Sequence, residues 1–162
     1  EVIVGDFLRK YVKKNGGFLL NDRAIPGTKQ NIDHILITEK AVFVIDSKNH
    51  SGKLTIRNEV NKTQIKEILY LDRFSQVKLV DKMKSQVKVV DASLKDGGFK
   101  VETVGYLIFY GVQWPKDKKP TQVDGVLING NGANSPIQDI KTKKKVDVLA
   151  VGEYLTANFQ AR

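Results

Sequence analysis

The sequence predicts an α/β protein in which a mixed β-sheet lies between helices. Segments with the apolar spacing of amphipathic helices stand near both ends and in the middle of the chain. Between them lie short runs with the alternating or continuous hydrophobicity of strands. At 162 residues the chain is long enough to bury a core, and we expect one domain over residues 1–162.

The first half of the chain is predicted to contain one helix and five strands. The first dozen residues place their apolar side chains on one helical stripe, which includes Val4, Leu8 and Tyr11, and "NGG" at 15–17 ends the helix. The strands are expected at 18–20, 31–38, 41–48, 53–58 and 65–71, with a loop at 25–30 and a tight turn at Glu39 and Lys40.

The second half is predicted to begin with the longest helix. From Ser75 to Leu94 the apolar residues recur at spacings of three and four, and "DGG" at 96–98 ends the helix. The continuous hydrophobicity of residues 104–110 is typical of a strand that is covered on both faces. Two further strands are expected at 123–129 and 146–150, and a closing helix at 152–160.

The charge of the chain favours a polyanionic partner. Lys and Arg number 27 against 18 Asp and Glu, which gives a net charge of +9 and a pI near 9.6. Nucleic acid is the commonest partner of so basic a protein, whereas the alternative is a lysine surface that only aids solubility. The residues that we expect to contact nucleic acid are Lys84, Lys88, Lys116, Lys118, Lys119, Lys143, Lys144 and Lys145.

Several other classes of protein lack support in the sequence. The chain has no cysteine, which excludes disulfides and thiolate metal sites and fits the cytoplasmic location that we expect. No apolar run approaches the length of a membrane span, so no membrane association is predicted. There is no P-loop or dinucleotide-binding fingerprint. Homo-oligomers and further domains outside this chain remain open.

Apart from Glu39 and Lys40 of the turn, three charged residues stand in the most hydrophobic stretch, "NIDHILITEKAVFVIDSKNHSG" at 31–52. A turn centred on Glu39 and Lys40 places Asp33 directly across from Asp46, with side chains about 5 Å apart. Asp46 and Lys48 are two residues apart on one strand and therefore share a face. Burying such charges costs several kcal/mol unless each has a partner or a function.

A divalent cation is one partner that explains the two facing carboxylates. Like charges across a strand pair destabilise a sheet unless positive charge lies between them, and Mg²⁺ or Mn²⁺ prefers carboxylate oxygens. The spacing therefore indicates a metal site at Asp33 and Asp46, with Lys48 beside it. The alternative is that Asp33 caps a loop while Asp46 and Lys48 form an ordinary ion pair at a strand end.

The same region carries a resemblance to a known family. The segment "LNDRAIPGTKQNIDHILITEKAVFVIDSKNHSG" resembles the nuclease-related domain (NERD), a branch of the PD-(D/E)xK nuclease superfamily, and the similarity extends over roughly residues 1–115. The family pattern has a Glu in the first helix, an "IDH" strand, an (E/D)-x-K strand that leads to a Gly, and a Gln in the next helix. Those positions fall on Glu1, Asp33, Asp46, Lys48 and Gln86, with Asp46 where the family more often has Glu.

The resemblance implies a restriction-endonuclease-like core and a metal-dependent phosphodiesterase that acts on DNA. It further implies that Asp33 and Asp46 bind Mg²⁺ or Mn²⁺, that Lys48 serves catalysis, and that Glu1 and Gln86 support the site. The alternative is a catalytically weak or inactive nucleic-acid-binding module with the same fold. An interaction domain whose basic charge is incidental forms a third class.

Overall fold

The computed structural model describes residues 2–113, 122–130, 135–142 and 144–162. The helices are α1 (Val2–Asn15), α2 (Val77–Asp96), α3 (Ser135–Asp139) and α4 (Val148–Asn158). The strands are β1 (Phe18–Ala24), β2 (Asn31–Ile37), β3 (Val42–Asn61), β4 (Gln64–Leu71), β5 (Phe74–Ser75), β6 (Thr103–Gln113), β7 (Gln122–Val123) and β8 (Val126–Gly130). The predicted α/β class is confirmed.

The central sheet is mixed, as predicted. Its strand order is β1-β2-β3-β6-β8-β7. The pairs β1–β2, β2–β3 and β7–β8 are antiparallel, whereas β3–β6 and β6–β8 are parallel. This arrangement, with helices on both faces, is consistent with a restriction-endonuclease-like core.

The β2–β3 hairpin has the register that the sequence predicts. His34 pairs with Ile45, and Ile37 pairs with Val42. Thr38 closes the turn, since its backbone N–H donates to the carbonyl of Ala41 at 3.0 Å. Continuing the same register by one residue brings Asp33 level with Asp46, at the end of the hairpin farthest from the turn.

Strand β3 is one continuous strand of 20 residues, where the sequence predicted two shorter ones. Its first half pairs with β2 and β6, and its second half pairs with β4 outside the central sheet order. The change of partner follows a register irregularity between Asn49 and Gly52. Gly52 has a φ of 132°, which only glycine adopts readily. The irregularity therefore redirects β3 just after Lys48.

The helices cover the two faces of the sheet separately. One face packs Ile35, Val44 and Leu107 against α2 and α4. The other packs Phe43 and Ile45 against the buried stripe of α1. Because β2 and β3 lie between helices on both faces, their buried runs are nearly all apolar. Polar side chains that enter these strands are therefore conspicuous.

Two predictions for the C-terminal part of the chain were wrong. Residues 146–150 were predicted as a strand, but α4 begins at Val148 because the Asp147 carboxylate accepts from the N–H of Ala150 at 3.2 Å. Residues 123–129 form the β7–β8 hairpin rather than one strand, because Asp124 and Gly125 both adopt positive φ in the turn. Helix α3 was not predicted.

Candidate active site

The two aspartates come together on the α2 side of the sheet. Asp33 shares its face of β2 with Ile35, and Asp46 shares its face of β3 with Val44, so both carboxylates lie on the face whose core residues pack against α2. Asp46 is only 5% exposed. Burial first, and then a hydrogen bond and like charge from Asp33, raise the pKa of Asp46 to about 6. Burial and the neighbouring Asp33 carboxylate thus both disfavour negative charge on Asp46.

Ser47 orients Asp33, a role that the sequence analysis did not anticipate. Its backbone N–H and its hydroxyl both donate to Oδ2 of Asp33, at 3.3 and 3.4 Å. In a regular antiparallel ladder that N–H would bond to the backbone of β2. Where the β2–β3 pairing ends, the Asp33 carboxylate replaces the backbone carbonyl as the acceptor for this N–H. No sequence signal marks Ser47 apart from its position between Asp46 and Lys48.

Lys48 supplies positive charge next to the carboxyl pair. Its Nζ lies 3.4 Å from Oδ2 of Asp46, and its side chain is 29% exposed while that of Asp46 is 7% exposed. The Lys48 charge lowers the pKa of Asp46 but does not offset burial and Asp33. The ammonium group is therefore anchored on the buried side and open to solvent on the other, where a substrate can reach it.

Gln86 reaches the same region from helix α2. Its Nε2 donates to the backbone carbonyl of Asn31 at 3.3 Å, and the residue is 3% exposed. Asn31 is fixed in turn because its side-chain amide donates to the Asp22 carboxylate at 2.6 Å. Gln86 Oε1 is buried and has no hydrogen-bond donor among the described residues. A buried acceptor of this kind is normally satisfied by a hydrogen-bond donor such as a water molecule.

A family model for the nuclease-related domain matches residues 1–110. The chain belongs to the nuclease-related domain family. No curated protein and no solved structure matched the chain. The matched residues of this NERD domain include Asp33, Asp46, Lys48 and Gln86, so the four side chains that the fold gathers all belong to the family region.

The other predicted site residues of the NERD domain lie apart from this cluster or outside the described residues. Glu1, Lys116, Lys118, Lys119 and Lys143 lie outside the described residues. Lys84 pairs with Asp124 at 2.8 Å, and Lys88 lies with it beside Gly105. Lys145 pairs with Glu39 at 3.3 Å, at the opposite end of the β2–β3 hairpin from Asp33, and Lys144 is exposed nearby in sequence.

The donor set of the NERD domain fits a hard divalent cation. Within the described ranges, no group of three or more His, Cys, Asp or Glu side chains could hold a metal. Two adjacent carboxylates are nevertheless what Mg²⁺ commonly takes from a protein, with water completing its shell. A cation would offset both the burial of Asp46 and the repulsion from Asp33, the two causes that raise the pKa of Asp46. None of the described helices is long and apolar enough to cross a membrane.

Proposed function

We propose that this NERD domain is a Mg²⁺- or Mn²⁺-dependent nuclease that hydrolyses phosphodiester bonds of DNA. The observation that carries the proposal is the buried Asp46 carboxyl group beside the partly buried Asp33, with Lys48 Nζ 3.4 Å from Asp46. The alternative of an ordinary ion pair at a strand end does not explain why a second carboxyl group, that of Asp33, lies next to the buried Asp46. A cytoplasmic location stays a prediction from the cysteine-free sequence.

Asp33 and Asp46 would hold the cation, and Ser47 would keep Asp33 in position for it through its two hydrogen bonds. When bound, a divalent cation in such a site supplies charge neutralisation at the phosphate and lowers the pKa of a bound water. Burial strengthens this interaction, because charges attract more strongly where water is excluded. Asp46, at 5% exposure, is the more enclosed of the two acids.

Lys48 and Gln86 would act on the substrate and on water. The Lys48 ammonium is half-buried next to Asp46 and can stabilise the negative charge that develops on the phosphate oxygens. Gln86 Oε1 offers a buried acceptor that can hold a hydrogen from the attacking water. The Nε2 bond to the backbone of Asn31 fixes the direction of that acceptor.

The test is cleavage of labelled single- and double-stranded DNA and RNA with Mg²⁺, Mn²⁺ or EDTA. The parent chain is compared with Asp46→Ala and Lys48→Ala. Matched controls are Asp81→Ala and Lys53→Ala, which remove the same charges from exposed positions. We expect metal-dependent cleavage of DNA that falls on the order of 100-fold or more in the two site variants and persists in the two controls.

The outcomes separate the alternatives. Salt-sensitive binding without cleavage in any metal would favour the inactive nucleic-acid-binding module. The absence of both cleavage and binding would favour an interaction domain whose charge is incidental. Cleavage of RNA but not DNA would keep the site and change the substrate. Equal cleavage by Asp46→Ala and the parent would contradict the assignment of Asp46 to the active site.

A further inference from the structure

Helix α2 carries a lysine toward the carboxyl pair that the sequence analysis did not single out. The helix starts beside β4, where Gln76 N–H donates to the Leu69 carbonyl at 2.8 Å, and its middle lies on Gly105, which pairs with Val44 of β3. Lys82 stands between these two points. It is also one turn before Gln86 and shares that residue's side of the helix.

Electrostatics support this placement. Lys82 is exposed, and its charge acts on the buried Asp46 in the direction that lowers the pKa of that carboxyl group. Two other lysines of α2 form ion pairs, Lys84 with Asp124 and Lys95 with Asp91, both at 2.8 Å. Within the part of the chain that the structure describes, Lys82 has no ion pair, so its ammonium group is available to a ligand.

With a divalent cation bound, the net positive charge of the site is enough to bind more than one phosphate. Lys48 and Lys82 together balance Asp33 and Asp46, so a bound divalent cation would make the site positive overall. One phosphodiester group carries a single negative charge and would occupy the cation and Lys48. Lys82 extends from α2 rather than from the hairpin that carries Asp46 and Lys48, and its flexible four-carbon stem suits a second phosphate beside the one at the cation.

We propose that Lys82 binds the backbone phosphate that flanks the scissile phosphate, so that the substrate is a polynucleotide strand rather than an isolated phosphodiester. This proposal rests on the proposed function, since it takes the scissile phosphate to lie at Asp33, Asp46 and Lys48. Phosphate contacts of this kind position a strand without reading its sequence. Lys82 would therefore contribute to binding of the strand and leave the chemical step unchanged.

The experiment measures binding of a labelled DNA oligonucleotide in EDTA as a function of KCl, together with cleavage kinetics in Mg²⁺ or Mn²⁺. The proteins are the parent chain, Lys82→Ala, Lys82→Arg and Lys95→Ala. Lys95→Ala is the matched control, because it removes the same charge from the same helix at a position far from Gln86. The exposure of Lys82 and Lys95 means that both variants retain the fold.

Loss of one phosphate contact should weaken binding on the order of tenfold and reduce the salt slope by roughly 0.7 for a single strand or 0.9 for a duplex. We expect this of Lys82→Ala alone, with a raised KM and an unchanged kcat. Lys82→Arg should stay within about twofold of the parent, because a guanidinium also binds phosphate.

The two proposals fail in different ways. A parent chain that cleaves DNA while Lys82→Ala keeps the parental salt slope and KM overturns the role of Lys82 and leaves the nuclease intact. A loss of kcat alone in Lys82→Ala also overturns it, because the residue would then serve the chemical step. A parent that binds DNA through Lys82 but never cleaves overturns the nuclease and keeps the phosphate contact. No binding by the parent overturns both.

Discussion

The environment of Asp46 disfavours the ionised form of its carboxyl group. It is 5% exposed, and burial together with the neighbouring Asp33 raises its pKa to about 6 from 3.8. A folded-state pKa above the unfolded value means that the protein binds this proton more tightly when folded. The corresponding stability is fully present below the unfolded pKa and is lost as pH rises through the folded pKa. Without a cation, Asp46 therefore destabilises the fold near neutral pH.

Replacing this carboxyl group by an amide should remove the penalty. We expect Asp46→Asn, measured by thermal or urea unfolding in EDTA, to be more stable than the parent by about 2 kcal/mol near pH 8. Near pH 4 the difference should shrink, because Asp46 of the parent is then protonated in the folded state. Mg²⁺ should raise the melting temperature of the parent at the higher pH and leave that of the variant unchanged.

Asp81→Asn serves as the control for Asp46→Asn, because Asp81 is an exposed aspartate of α2. A stability difference between the parent and Asp46→Asn that is the same at both pH values would contradict the electrostatic argument. So would a Mg²⁺ effect of equal size in the parent and the variant, since the cation would then bind elsewhere.

At the scale of elements, the path of strand β3 determines where the site residues Asp46 and Lys48 lie. The strand carries Asp46 and Lys48 in its first half and then leaves the central sheet to pair with β4. Gly52 lies at the point of change, with a φ of 132°, and the Asp72 carboxylate accepts from the N–H of the next residue, Lys53, at 2.9 Å. This contact joins the second half of β3 to the turn after β4. The glycine of the family pattern thus has a physical reason at this position.

Gly52→Ala should destabilise the protein by about 1–3 kcal/mol in urea unfolding. The φ of 132° is unfavourable for alanine, and an added Cβ would lie 2.5 Å from Oδ2 of Asp72. Gly27→Ala is the matched control, because Gly27 also has positive φ, 75°, but has no other atom within 4 Å of the added Cβ. Equal losses in the two variants would mean that the Asp72 contact costs nothing and that backbone strain explains the effect.

The elements that the sequence predicted well are those set by local chemistry. The β2–β3 register followed from the position of one tight turn at Glu39 and Lys40, and α2 followed from its regular apolar spacing. The strand expected at 146–150 was wrong because Asp147 caps a helix that begins at Val148. The single strand expected at 123–129 failed because the Asp124–Gly125 turn signal was overlooked.

At the scale of the whole molecule, the candidate site divides into a local and a tertiary part. Asp33, Asp46 and Lys48 belong to one hairpin, so the sequence could bring them together once the register was known. Lys82 belongs to α2, and its charge acts on Asp46 only because the helix packs on the sheet, as Met83 does on Gly105. The sequence analysis therefore chose Lys84 and Lys88 on this helix, whereas in the fold it is the charge of Lys82 that acts on Asp46.

The net charge of +9 is a property of the whole chain and predicts how it associates with nucleic acid. Charges that are spread over a surface attract phosphates over a distance of about 10 Å at 0.1 M salt and much less at higher salt. The attraction does not depend on base sequence, because phosphates are the same along any strand. A basic surface that only aids solubility would instead give no measurable complex with DNA at moderate salt.

We therefore expect the parent chain in EDTA to bind two DNA duplexes of equal length and unrelated sequence with closely similar affinity. If about four phosphates are contacted, raising KCl from about 50 to 200 mM should weaken both complexes roughly 100-fold. Fluorescence anisotropy titrations at several KCl concentrations measure the slope. A salt-independent affinity, or one that differs more than about tenfold between the two duplexes, would mean that base contacts or apolar contacts rather than lysine charge hold the DNA. EDTA separates this association from cleavage, so the result bears on the charge of the molecule alone.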